Sequence, residues 1–134
     1  MKKLVLLSIP FLYSHTLTAQ NAVENAIQSK LILTELLNEP GINNKEVKME
    51  IVDFSPLSVS APHRHPCPTF GFVLEGTIES IFEGKVSLYN KGDSFYEASN
   101  GLHTKTRNPD RVKPARLLVF YILDPHKPTS VPAH

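Results

Sequence analysis

The chain has 134 residues, enough for one compact domain and too few for two ordinary ones. Hydrophobic residues make up 41% and charged residues 20%, a balance that excludes a disordered chain. A formal net charge of +1 leaves no electrostatic footprint for nucleic acid or for an anionic membrane surface.

Residues 1–20 read "MKKLVLLSIPFLYSHTLTAQ": Lys2 and Lys3, an apolar run from Leu4 to Tyr13, then polar residues and the small Ala19. The run is shorter than the roughly 20 residues that a membrane-spanning helix needs. The pattern fits a secretory signal spanning residues 1–19 and cleaved after Ala19, although Leu17 is larger than such sites prefer. An N-terminal anchor or a core segment is the plainer alternative. With cleavage, the protein is expected to be periplasmic or secreted, with no membrane contact once the signal is gone. Loss of Lys2 and Lys3 takes the 14 basic residues to 12 against 13 acidic, so the mature chain is close to neutral.

Residues 20–44 form an N-terminal extension in this reading. Ala22, Val23, Ala26 and Ile27 recur at helix-like spacing, whereas Leu31 to Leu37 suit a strand followed by a turn at Pro40-Gly41. From residue 45 the pattern becomes strand-like. In "KEVKMEIVDF", Val47, Met49 and Ile51 alternate with Lys48, Glu50 and Val52, as in a half-buried strand. Short apolar runs follow, "TFGFVL", "TIESIFEG", "KVSLYN", "DSFYEA" and "RLLVFYIL", separated by turn signals at Gly76, Glu83-Gly84, Asn90 to Gly92 and Asn100-Gly101. With no long amphipathic helix between them, these runs predict an all-β sandwich or barrel over residues 45–124. The proline-rich tail, residues 125–134, reads as a loose extension with His126 and His134 exposed.

Two places carry candidate chemistry. His63 and His65 lie one residue apart, so on a strand both imidazoles point to one face and Arg64 to the other. Pro62 and Pro66 stiffen the pair. With six histidines in the chain, a surface pair is the ordinary alternative. The second place is "KGDSFYEASNGLHTKTRN", a strand, a turn at Asn100-Gly101 and a return strand that begins near His103. Cys67 is the only cysteine and rules out an intramolecular disulfide; burial beside the site is its expected fate, ahead of metal ligation.

Together the two blocks resemble the paired motifs of the cupin superfamily, G(x)5HxH(x)3–4E(x)6G and G(x)5PxG(x)2H(x)3–4N. His63, His65 and Gly76 match the first, and Gly92, His103 and Asn108 the second. The short stretch between the motifs, with "HRHP", "FVLEG" and "FYE", looks like that of small bacterial single-domain cupins. The resemblance implies a single-domain, jelly-roll-like antiparallel β-barrel. It also implies a divalent transition metal (Fe, Mn, Ni, Cu or Zn) at His63, His65 and His103.

The departures are Leu57 for the first glycine, Ala98 for the proline and Asn100 for the glycine before the histidine. The largest is Thr69, which stands where the family has its metal-binding glutamate. Glu97, on the same strand face as Phe95, is the leading substitute carboxylate, with Arg107 or Lys105 as alternative partners for it; Glu75 ranks behind as a turn residue. Arg107 suits a carboxylate ligand or a neighbouring acid. Of Phe70, Phe72, Phe82, Tyr89, Phe95 and Tyr96, most are expected in the core and a few beside the pocket.

Two functions follow from this reading. The first is a metal-dependent enzyme acting on a small organic molecule, with Glu97 and Tyr96 as candidate pocket acids or bases. The second is a noncatalytic module that binds a small ligand or metal, which the loss of the motif carboxylate favours. A homodimer through barrel edge strands is compatible with the fold.

Overall fold

A computed structural model describes residues 27–133. The expected secretory signal, His134 and most of the helix-like spacing lie outside the described residues. Those residues form strands and no helix. The strands are β1 (Ile27–Glu39), β2 (Ile42–Phe54), β3 (His63–Arg64), β4 (Thr69–Glu75), β5 (Thr77–Phe82), β6 (Lys85–Asn90), β7 (Ser94–Glu97), β8 (Leu102–Arg107), β9 (Ala115–Leu123) and β10 (Val131–Pro132). They build two antiparallel five-stranded sheets, ordered β1-β2-β9-β4-β7 and β10-β3-β8-β5-β6. This is the expected all-β jelly-roll barrel.

Turn chemistry places the crossings. Gly76, at φ +72°, carries the chain from β4 in one sheet to β5 in the other. A Cβ there would stand 2.6 Å from the Pro114 carbonyl oxygen, and backbone cannot yield as a side chain can. Glu83 and Gly84, both at positive φ, close the β5–β6 hairpin as the twist of paired strands favours.

Between the sheets lies a core of Phe54, Cys67, Val73, Ile78, Ala115, Leu117, Val119, Tyr121 and Leu123, all buried. Leu117, Val119, Tyr121 and Leu123 alternate along β9, the strand buried between β2 and β4. Asn108, the last residue of the second motif, is fully buried. Its amide nitrogen donates to the carbonyls of Phe54, Ser55 and Lys113, and its amide oxygen accepts from the Asp110 N–H. It therefore laces the end of β8 to the end of β2.

Three expectations change. On β2 the cavity-lining residues are Glu50, Val52 and Phe54, so Met49 and Ile51 lie on the opposite face. Apolar residues occur on both faces of this strand, and alternation alone does not say which face looks inward. Second, register sets Leu33, Met49, Phe120, Phe70 and Tyr96 in one row across the outer face of their sheet. Phe70, Phe72 and Tyr96 are 39%, 41% and 60% exposed, so these aromatics are not core. Third, the tail is pinned rather than loose: Val131 pairs with Arg64 and Pro132 with His63. Leu31 to Leu37 are extended, as expected, within a long β1 that pairs along β2.

Leu57, in the position of the first motif glycine, adopts φ +60° and is 54% exposed. A left-handed backbone costs a side-chain-bearing residue about 1–2 kcal/mol, while glycine adds back some unfolded-chain entropy. Leu57→Gly is expected to stabilise the fold by up to about 1 kcal/mol, read as a higher urea midpoint; a lower midpoint would show that Leu57 packing outweighs the strain.

Candidate metal centre

Strand pairing brings the two motifs together. His63 on β3 stands directly opposite His103 on β8, and their rings stack at 4.8 Å with 4° between planes. His65 meets both rings edge-on, at 5.0 and 5.2 Å. One donor nitrogen from each of His63, His65 and His103 lies within 4.8 Å of the others, a group that could hold a metal ion. Arg64 points away, and its guanidinium donates to the Asn100 carbonyl.

The outward nitrogens are tied down. His63 Nδ1 lies 2.9 Å from the Ala61 carbonyl and His65 Nδ1 2.6 Å from the Thr129 carbonyl. A carbonyl accepts only, so both Nδ1 atoms carry the proton and both Nε2 atoms keep a free lone pair. His103 Nδ1 lies 3.2 Å from Thr106 Oγ1, which leaves its Nε2 toward the centre. Such outer hydrogen bonds fix ring orientation in metal-binding histidines.

Glu97 supplies the carboxylate near this cluster. It is 3% exposed, and its Oε2 lies 2.8 Å from His103 Nε2. Yet His103 Nε2 and Glu97 Oε1 are buried with no hydrogen-bond partner, so the close approach is not directed as a hydrogen bond. A buried imidazole nitrogen and a buried carboxylate oxygen without hydrogen-bond partners are costly unless a cation satisfies them. The three convergent imidazoles fit a divalent transition metal, and the Glu97 carboxylate stands beside them at His103.

Register explains where this carboxylate comes from. Thr69 on β4 pairs directly with Glu97 on β7, and Thr69 also pairs with Tyr121 on β9. Cross-strand partners share a sheet face, so Glu97, Thr69 and Tyr121 form one inward row. Thr69 is buried and its hydroxyl donates to the Cys67 carbonyl.

Around the cluster is a cavity of about 360 Å³, lined by His63, His65 and Glu97 together with Phe95, Thr106, Leu117, Val119 and Tyr121, and reaching Ser29, Glu50 and Thr129. Phe95 lies over Gly71, where a Cβ would come within 2.1 Å of its ring, so the missing side chain at Gly71 sets this wall.

Other sequence candidates fall elsewhere. Tyr96 faces outward, so it is no pocket acid. Arg107 pairs bidentately with Glu79, at 2.7 and 2.9 Å, rather than with Glu97 or a ligand. Glu75 is exposed at its strand end. Cys67 is 2% exposed in the core, and burial pushes its thiol pKa up. Of the listed aromatics, Phe95 alone lines the cavity, while Phe82 packs against His103 from behind at 5.0 Å. The sequence reading missed Thr106, Thr129, Tyr121 and Glu50. Only the period-2 alternation along β9 could have signalled Tyr121; the others depend on register.

Burial favours the neutral form of His63 and His65. Desolvation lowers the pKa of His63, and lowers His65 from 6.5 to about 4. In the metal-free protein the unfolded chain therefore takes up protons first as pH falls. Stability is complete above about 6.5 and is lost down to about 4, where folded His65 protonates too. His65 alone contributes roughly 2–3 kcal/mol of this loss. Urea denaturation across that interval is expected to show the slope, and His65→Gln to flatten it; identical slopes in both proteins would assign the loss to other groups.

Comparison with known proteins agrees with this geometry. The chain is 34% identical over 102 residues to germin-like protein 8-2 of Oryza sativa subsp. japonica, covering 68% of this chain and 44% of that one. It thus spans less than half the length of that relative. Among solved structures, the DMSP lyase DddQ of Ruegeria pomeroyi DSS-3 superposes with TM-score 0.64 at 22% identity, covering 88% of this chain and 56% of DddQ. A salicylate 1,2-dioxygenase variant from Pseudoaminobacter salicylatoxidans, in complex with gentisate, superposes with TM-score 0.57 at 15% identity, covering 72% and 25%. The family description "Cupin domain" matches residues 50–121, more than half of the chain. That match takes in all three histidines and Glu97, and by it the chain belongs to the cupin superfamily.

Proposed function

We propose that this chain is an exported, single-domain cupin of the bacterial type, and a metal-dependent enzyme acting on a small organic molecule. His63, His65 and His103 hold a divalent transition metal (Fe, Mn, Ni, Cu or Zn), and Glu97 is the fourth protein ligand. The observation that carries the reading is the convergence of three imidazoles, two of them with Nδ1 fixed as the donor, beside the unpartnered His103 Nε2 and Glu97 Oε1. When bound, such a metal supplies Lewis acidity or a site for an oxygen ligand. The chain's own residues fix the rest. Leu117 and Val119 give the cavity an apolar wall, and the Tyr121 phenol, its pKa raised by burial and by nearby Glu50, stays a neutral hydrogen-bond donor. Because a gentisate-bound neighbour and a lyase share the fold, the fold accommodates small organic ligands. Export rests on the Lys2-Lys3 start and the apolar run that ends near Ala19.

A homodimer belongs to the same reading. The outer row of Leu33, Met49, Phe120, Phe70 and Tyr96 is largely apolar, and packing against the same row of a second copy would remove it from water. Phe70→Glu is expected to convert a dimer to monomer in light-scattering chromatography; a monomeric wild type would remove this part of the proposal.

Metal analysis of the purified protein tests the centre. Wild type is expected to carry about one ion per chain, His63→Ala and His103→Ala almost none, and Glu97→Gln to bind more weakly by about 10- to 100-fold. Unchanged metal content in both histidine variants would overturn the site.

A further inference from the structure

The cavity holds a second carboxylate, which shares Thr129 with His65. Glu50 projects into the cavity from β2, between Lys48, which turns to Glu46 and the Lys127 carbonyl, and the apolar Val52. Glu50 is held from two sides: Ser29 Oγ donates to Oε2 at 2.6 Å and Thr129 Oγ1 to Oε1 at 3.4 Å. An ionised carboxylate accepts about four hydrogen bonds, so roughly two places stay open. Ser29 and Thr129 also line the cavity, so the open lone pairs share its wall with two hydroxyls.

Charge sharpens this. None of the described residues lining the cavity is lysine or arginine, while Glu50 and Glu97 are both there. A ligand carboxylate placed beside Glu50 would meet a like charge, with no cation among those lining residues to offset it. A hydroxyl or ammonium there would find an acceptor already oriented.

We propose that Glu50 is a specificity-determining residue, which selects small ligands carrying a hydrogen-bond donor, a hydroxyl or an ammonium, at the end away from their metal-binding group. This rests on the metal reading above for the near end of the ligand only. Val119, its partner on β9, gives apolar contact beside Glu50, and Glu50 rejects anionic far ends.

Three para-substituted benzoates test it, because they share a metal-binding carboxylate and an apolar ring and differ only at the far end. These are 4-(aminomethyl)benzoate, 4-(hydroxymethyl)benzoate and terephthalate, titrated calorimetrically into zinc-loaded protein. Wild type is expected to bind the amine and the alcohol at least about tenfold more tightly than terephthalate. Glu50→Gln is expected to remove most of the preference for the amine, and Glu50→Lys to make terephthalate the tightest of the three. Equal binding of all three by wild type, no binding of any, or an unchanged ranking in Glu50→Gln would each overturn the proposal. Zinc content is measured in parallel. If wild type holds no zinc, the metal reading fails by itself, and benzylamine, benzyl alcohol and benzoate give the same far-end comparison in metal-free protein.

Discussion

The pairing of β3 with β8 is the constraint on which the site depends. β3 is only two residues long, and its register sets His63 opposite His103. A one-residue slip would turn His63 and His65 to the outer face and bring Arg64 inward. Two hydrogen-bonded neighbours, β8 on one side and β10 on the other, hold this short strand in place. The cluster is therefore a property of sheet register more than of the histidines themselves.

The position of Glu97 follows the same logic. A sheet face is read across strands as well as along them. With threonine at position 69, the neighbouring strand delivers Glu97 to the same inward row, directly opposite. The threonine keeps its volume in the core and ties its hydroxyl to the Cys67 backbone. An acidic side chain at both positions would set two carboxylates face to face in a buried space, which like-charge repulsion penalises. Threonine and glutamate thus make a compatible cross-strand pair.

Much of this was legible in the sequence. The all-β class followed from short runs with regular turn signals, and the grouping of the three histidines was implied by the resemblance to the cupin motifs. Glu97 was placed by alternation with Phe95 and by the cost of burying an unpaired carboxylate. What was not legible depended on contacts distant in sequence. Which face of β2 looks inward is decided by its pairing with β9, because both faces carry apolar residues. Tyr96 was mistaken for a pocket residue because aromatic content says nothing about direction. The partner of Arg107, Glu79, lies 28 residues away on a paired strand, and no local pattern announces it. Leu57 and Asn100 stand at motif-glycine positions and take positive φ, so the turn geometry outlasted the glycines.

The hydrogen bond between His65 and Thr129 joins residues 64 positions apart. In synthesis order, the ring that completes the histidine cluster gains its anchor only after every barrel strand from β1 to β9 has been made. A fragment holding all three histidines but ending before Thr129 would lack the carbonyl that fixes one of them. The tail is therefore the last piece of the histidine cluster's hydrogen bonding to be supplied.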